Sequence, residues 1–207
     1  MKINEIICGD CLDVMKDIPD KSIDLVLTDP PYGVGFGYDT FYDNQTGLKK
    51  LLCVAMPEIL RVGKIVLITC GNGNQHLYPK PDWTLAWVIT AGAGQNKWGF
   101  TCWQPILAYG NDPYRANNMG ARPDIIISNE KSKKYGHPCT KPINVWKKIL
   151  LRGSVREQDI ILDPFLGSGT TAVACKMLKR DYIGIDISEE YCQIARDRLN
   201  ATEKPLF

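Results

Sequence analysis

The chain has 207 residues, 44% of them hydrophobic and 23% charged, with a formal net charge of +2. That balance predicts one soluble globular domain over residues 1–207, long enough to bury a real core. No apolar run approaches the roughly 20 residues of a membrane span, which excludes a transmembrane protein.

Residues 1–5 carry no apolar leader, which predicts a cytoplasmic protein. The eight cysteines fall mostly in apolar runs, as buried reduced thiols do, and do not read as a disulfide framework. Cys8 and Cys11 form a single C-x-x-C with no second ligand pair, so no metal site is read there. The charge is unevenly spread. Between Arg115 and Arg156 stand ten Lys and Arg against Asp124 and Glu130, a local charge of +8. Such a block is either a polyanion-binding face or a solvated surface.

Strands are predicted at 5–8 and 23–28. Leu48, Leu51, Leu52, Ala55, Met56, Ile59 and Leu60 then follow helical spacing, with a kink or restart expected at Pro57 and an end at Gly63. A strand at 64–70 follows. Residues 84–90 and 104–109 read as a pair of later strands separated by a turn-like Gly92-Ala93-Gly94. Trp98 and Phe100 between them read as core, with the wall of a base pocket as the alternative. Residues 111–136 are a polar surface excursion with a short strand at 124–128. In it Asp112-Pro113-Tyr114 is turn chemistry. A helix at 143–151, a strand at 159–162, a helix at 169–178, a strand at 182–185 and a helix at 188–199 complete the chain. In the last helix Tyr191, Ile194, Ala195 and Leu199 share a face, and Glu189 and Glu190 suit its positive end. This alternation predicts a three-layer, doubly wound α/β fold with a mostly parallel sheet, binding its ligands beyond the carboxyl ends of the strands.

Two loops carry the chemistry. Asp163-Pro164-Phe165-Leu166-Gly167-Ser168-Gly169-Thr170-Thr171 leaves a strand and enters a helix, so its glycines let backbone approach a ligand and the helix start offers free N–H donors. Asp186 ends the next strand, where a carboxylate can accept hydrogen bonds from two ribose hydroxyls. By itself this pattern serves a dinucleotide or S-adenosylmethionine. The dinucleotide fingerprint G-x-G-x-x-G has Ala172 at its third position.

The second loop, Thr28-Asp29-Pro30-Pro31-Tyr32-Gly33, follows an apolar strand. Consecutive prolines lock an extended backbone and remove two N–H donors, leaving carbonyls as fixed acceptors. An exocyclic amine presents two N–H donors. Asp29 and the Pro30 carbonyl can hold both, draw the nitrogen toward sp³ character and aim its lone pair at a methyl donor. Tyr32 supplies a flat face for a base. The alternative is a rigid turn. Gly33, Gly35 and Gly37, interleaved with Val34, Phe36 and Tyr38, form either a lid or a plain flexible loop.

Asp-Pro-Pro-Tyr followed by Asp-Pro-Phe-Leu-Gly-Ser-Gly-Thr-Thr, with His137-Pro138-Cys139-Thr140-Lys141-Pro142 between them, resembles the amino-methylating DNA methyltransferases. Acceptor motif first and cofactor motif last is similar to the permuted β group of that family, and the resemblance covers nearly the whole chain. It implies a Rossmann-like methyltransferase fold and S-adenosylmethionine as cofactor. By position, Asp29, Pro30, Pro31 and Tyr32 would hold the target base. Phe165, Gly167, Ser168 and Gly169 would line the cofactor, with Asp163 and Thr170 in the same loop. Asp186 would bind the ribose, and Thr140 and Lys141 would meet the methionine carboxylate. Asp10 resembles the acid near the cofactor's adenine, with a helix N-cap as the alternative. Larger members carry a long recognition insert, whereas only about residues 111–136 are available here, which implies a short or loose recognition sequence.

DNA is the implied partner, with Arg115, Arg122, Lys131, Lys133 and Lys134 on phosphates. A homodimer and a restriction endonuclease are further partners to be considered. Asp at the first acceptor position is similar to adenine-N6 enzymes and Ser to cytosine-N4 enzymes, so N6 of adenine is the expected target and N4 of cytosine the alternative. A nicotinamide oxidoreductase, a non-catalytic DNA-binding module and a protein glutamine methyltransferase are more distant readings. The last resembles an Asn-Pro-Pro-Tyr loop in unpermuted order, and this chain has neither feature.

Overall fold

The computed structural model describes residues 2–37, 42–133 and 140–203. In chain order the elements are β1 (Glu5–Cys8), α1 (Cys11–Lys16), β2 (Ile23–Thr28), β3 (Val34–Gly37), β4 (Tyr42–Asn44), α2 (Gln45–Val62), β5 (Gly63–Thr69), β6 (Trp83–Val88), β7 (Gln95–Asn96), β8 (Gly99–Phe100), β9 (Trp103–Tyr109), α3 (Pro113–Ala116), β10 (Ile125–Ile127), α4 (Ile143–Gly153), β11 (Ile160–Asp163), α5 (Thr170–Met177), β12 (Asp181–Asp186) and α6 (Glu189–Ala201).

Eight strands form one sheet in the order β1-β12-β11-β2-β5-β9-β6-β10. Neighbours are parallel except around β9, which runs against both β5 and β6. β2 is buried on both faces. Leu25 and Leu27 pack with Trp146, Ile149 and Leu150 of α4, whereas Val26 between them packs with Leu52, Met56 and Ile59 of α2. Strand alternation thus builds two cores, one on each face of the sheet, and gives the three layers expected of the sequence pattern. A third cluster joins Ile6 and Leu166 to Ala172 and Val173 of α5 and to Cys192, Ala195 and Leu199 of α6. The chain reverses its winding between β11 and β2, where doubly wound sheets open a ligand crevice at the carboxyl edge.

Several local expectations change. α2 begins three residues earlier than its apolar stripe, because Asn44 caps it by accepting from the Gly47 N–H at 2.7 Å. It also runs unbroken through Pro57, which is exposed. The carbonyl one turn earlier, on exposed Cys53, loses its helical partner on the water side, where that loss is cheap. Of this glycine-rich segment Val34–Gly37 is strand β3, paired with β4, and Tyr38 lies outside the described residues. The 111–136 excursion is partly built into the fold, since β10 adds an eighth strand beside β6. Among the described residues no helix is long and apolar enough to cross a membrane.

Gly153 closes α4 directly over the sheet, where an added Cβ would lie 2.8 Å from side-chain carbons of Leu25 and Leu67. Gly153→Val should overpack this contact and cost about 1–3 kcal/mol. Urea denaturation should show a lower midpoint with an unchanged slope. An unchanged midpoint would mean that α4 does not seat there.

Candidate active site

Asp163 is the last residue of β11 and is 3% exposed. One carboxylate oxygen accepts from the Thr28 hydroxyl at 2.6 Å and the Phe165 N–H at 3.1 Å, and the other from the Thr171 hydroxyl at 2.5 Å. Thr28 ends β2 and precedes Asp29, while Thr171 lies in the first turn of α5. One buried carboxylate therefore ties the acceptor loop to the cofactor loop. Burial pushes its pKa up to about 6, against the downward pull of the three donors.

In the acceptor loop, Asp29 accepts from the Tyr32 hydroxyl at 2.6 Å and from the Thr69 hydroxyl at the end of β5, while its other oxygen takes the Lys141 ammonium. The Lys141 and Asp29 side chains are 15% and 17% exposed, so little water screens this pair. Burial, and then the Asp29 charge, hold the Tyr32 phenol well above its ordinary range, so it remains a donor. The Tyr32 carbonyl accepts from the Asn74 side chain at 2.7 Å. The Gly33 and Val34 N–H groups both donate to buried Asp43, at 2.6 and 3.1 Å. Gly71 has φ +68° and lies against the Tyr32 ring, 3.3 Å from where a Cβ would stand.

In the cofactor loop, Gly167 N–H donates to one oxygen of Asp186 at 2.7 Å and Ser188 N–H to the other at 2.9 Å. Each oxygen keeps a further acceptor position for a ligand hydroxyl. Burial raises the Asp186 pKa. The Ser168 hydroxyl lies 3.2 Å from that of Thr140 and accepts from Arg198 at 3.0 Å. Asp10 caps α1 through the Leu12 N–H at 2.8 Å.

These elements surround one cleft of about 280 Å³. Asp10, Asp29, Pro31, Thr140, Lys141, Asp163, Phe165, Gly167, Ser168, Thr170 and Asp186 all line it, with Leu51, Trp146, Ile187 and Tyr191 adding apolar wall. Asp10 thus both caps a helix and faces the cleft. Pro30, Tyr32 and Gly169 are not part of the wall. Gly169, at φ +82°, faces α6, where a Cβ would come within 2.6 Å of the Ala195 Cβ. His137, Pro138 and Cys139 lie outside the described residues, as does Lys134.

The remaining basic residues separate. β9 carries the chain back to the amino edge of the parallel strands, so α3 with Arg115 sits there. Its capping residue Asp112 pairs with Arg152 near the end of α4 at 2.5 Å, and Arg122 stacks on the Tyr114 ring at 4.8 Å. Lys131 and Lys133 instead follow β10 at the carboxyl edge, with the cleft. A seven-residue strand separates the two edges by roughly 20 Å, so Arg115 and Arg122 do not share one face with Lys131 and Lys133. Trp98 and Phe100 are not core: they are 99% and 71% exposed. Sequence reasoning missed Asp43 and Arg198. A charge count signals neither, because each acts on backbone or hydroxyl groups of another segment, ten residues away for Asp43 and thirty for Arg198.

The sheet order, the reversed β9 and the cleft at the carboxyl edge define a Rossmann-like methyltransferase fold. The fold is similar to that of the M1.HpyAVI–SAM complex (TM-score 0.68, 24% identity, covering 95% of this chain and 98% of that one) and of the cytosine-N4-specific PvuII DNA methyltransferase (TM-score 0.71, 16% identity, covering 94% and 85%). The model of the N6/N4 DNA methylase family matches residues 87–197. The Type II methyltransferase M.HpaI of Haemophilus parainfluenzae is 31% identical over 95% of this chain and 74% of its own length. The chain belongs to this family of amino-methylating DNA methyltransferases.

The raised pKa of Asp163 has a consequence for stability. A carboxyl that binds its proton more tightly when folded contributes most at low pH, and that contribution is lost as pH rises from its ordinary value near 3.8 to about 6. Asp163→Asn, which carries no charge, should therefore become more stable relative to the native chain between pH 4 and pH 7. Urea titrations of both proteins at the two pH values measure this, and a difference that does not change with pH would contradict it.

Proposed function

We propose that this DNA methyltransferase transfers a methyl group from S-adenosylmethionine to the N6 amino group of adenine. The observation that carries the reading is that Asp29 and the Gly167–Asp186 pair open on the same cleft. The donor set suits that cofactor. Asp186 has acceptor capacity for ribose hydroxyls, the apolar wall of Phe165, Ile187 and Tyr191 suits an adenine ring, and Thr140 and Lys141 offer a hydroxyl and a cation for a carboxylate. When bound, S-adenosylmethionine supplies an electrophilic methyl on a sulfonium that is already a good leaving group.

The protein's part is positioning. The target base is extruded from the duplex so that its amino group reaches Asp29. The Asp29 carboxylate, on the cleft wall, accepts an amine hydrogen. Asp29 and Lys141 both line the cleft, so an N–H donor entering it can reach the carboxylate by taking the place of the Lys141 ammonium. With the cofactor bound, the amino nitrogen held by Asp29 would take the methyl group, an N–C bond forming as the C–S bond breaks, and would then release its proton to solvent. Asp163, through Thr28 and Thr171, holds the two loops at a fixed separation, which is where most of the rate advantage of such a transfer arises.

The first-position carboxylate of Asp29 supports adenine over cytosine. The likeness to the cytosine-N4 enzyme is one of fold alone and does not favour the other base. The Type II methyltransferase relative supports a restriction–modification setting. Lys131 and Lys133, on the cleft edge, are the proposed phosphate contacts.

Methyl transfer from radiolabelled S-adenosylmethionine to mixed-sequence DNA, followed by hydrolysis and base analysis, tests this. Label should appear as N6-methyladenine. Asp29→Ala should lower kcat by roughly 10²-fold or more while cofactor affinity is unchanged. Label in N4-methylcytosine would overturn the adenine assignment, and full activity of Asp29→Ala would overturn the site.

A further inference from the structure

The chain between β6 and β9 folds into a hairpin that the catalytic reading leaves without a role. Its strands β7 and β8 pair Gln95 with Phe100 and Asn96 with Gly99, leaving Lys97 and Trp98 as a two-residue tip. Trp98 is 99% exposed on this tip. The hairpin is firmly built below it. The Asn96 side chain accepts from the Trp98 N–H at 2.7 Å and donates to the Thr101 hydroxyl at 2.8 Å, and the Ala93 and Thr101 N–H groups bond across to Thr101 and Gly94 carbonyls at 2.7 and 2.9 Å. A large aromatic held on a hydrogen-bonded turn and presented to water is available to stack on a partner.

The fold fixes where that partner lies. β6 runs in the same direction as β2 and β5, because β9 between them is antiparallel to both β5 and β6. The hairpin therefore leaves the sheet at the carboxyl edge, the edge of Asp29. β6 is three strand positions from β2, a lateral offset of roughly 14 Å, similar to the 12 Å width of a DNA major groove. At the hairpin base, Asn129 accepts from the Ala91 N–H at 3.1 Å and donates to the Thr90 hydroxyl at 2.7 Å. Those two bonds fasten the segment carrying Lys131 and Lys133 to the hairpin that carries Lys97. The neighbouring acid Glu130 is spent on the N–H and side chain of Asn144. An aromatic point flanked by cations on the catalytic edge is complementary to a polyanion whose interior is stacked bases.

We infer that the 89–102 hairpin is a DNA-inserting element, with Trp98 stacking in the duplex beside the extruded nucleotide and Lys97, Lys131 and Lys133 holding the adjoining phosphates. The inference rests on the DNA-methylating, base-extruding reading above. Extrusion breaks stacking on both sides of the vacated position, and an inserted indole restores part of it.

The test measures DNA binding and steady-state methylation by the native chain, Trp98→Ala and Trp98→Phe. The probes are short duplexes containing the methylated sequence, with the target base either paired or opposite a mismatch. Trp98→Ala should raise Kd and KM for the paired duplex about ten-fold or more, with S-adenosylmethionine affinity unchanged. The deficit should shrink on the mismatched duplex, where extrusion is easier, and Trp98→Phe should keep most of the affinity. Native-like DNA binding by Trp98→Ala overturns the inference, and so does an equal loss on both duplexes. Conversion of a dimer to a monomer on substitution, seen by sedimentation, also overturns it, because the hairpin would then be covered by a second copy. In each of these cases methylation by the native chain survives. Its absence from the native chain is the separate result that removes the catalytic reading.

Discussion

A single buried carboxylate sets the geometry of this molecule's cleft. Asp163 is held by Thr28 from one loop and by Phe165 and Thr171 from another, although more than 130 residues separate Thr28 from Asp163 along the chain. Placing a charge among apolar strands is costly, as its raised pKa records. Three hydrogen bonds offset that cost only while both loops stay in position, and loss of one donor would leave a buried acceptor less satisfied at about 1–3 kcal/mol. The loops are therefore coupled: displacing either one weakens the contact that positions the other.

The rest of the cleft follows from where strands end. In a doubly wound sheet the carboxyl ends of neighbouring strands lie together, so Asp29 after β2, Thr69 at the end of β5, Asp163 in β11 and Asp186 in β12 meet along one edge. Acids brought this close would repel if left bare. Here each is assigned donors of its own: Lys141, Tyr32 and Thr69 for Asp29, two threonines and an amide for Asp163, and two backbone amides for Asp186. The order of the loops along the chain has no bearing on this arrangement, which is why an acceptor motif can precede the cofactor motif and still face it.

Much of this was legible in the sequence, because its signals are local. Apolar β-rich runs gave the central strands, and Pro-Pro and Gly-Ser-Gly marked two loops whose backbones have special tasks. The fold class followed from strand–helix alternation, and the pairing of the Asp29 loop with the Gly167 loop followed from the resemblance to the amino-methylating DNA methyltransferases. Features depending on a few residues or on direction were not legible. α1 is six residues long, too short for a helical period to show. β7 and β8 are two residues each. Pro57 read as a kink or a restart, and the helix does not restart there, because the proline lies on its water-facing side. Arg115, Arg122, Lys131, Lys133 and Lys134 read together as phosphate contacts because a charge count carries no vector, and β9 sends Arg115 to the edge opposite Lys131. Trp98 read as core because hydrophobicity alone does not separate an aromatic that is buried from one that is presented.

The account depends most on a donor methyl and an acceptor amine meeting between the Asp29 loop and the Gly167 loop. The most direct measurement is a crystal structure of the chain with the reaction product S-adenosylhomocysteine. Its ribose should lie on Asp186 and its sulfur should face Asp29 across a gap that a methyl group and an amino nitrogen would fill. Product bound elsewhere, or bound in the cleft with its sulfur turned away from Asp29, would contradict the account.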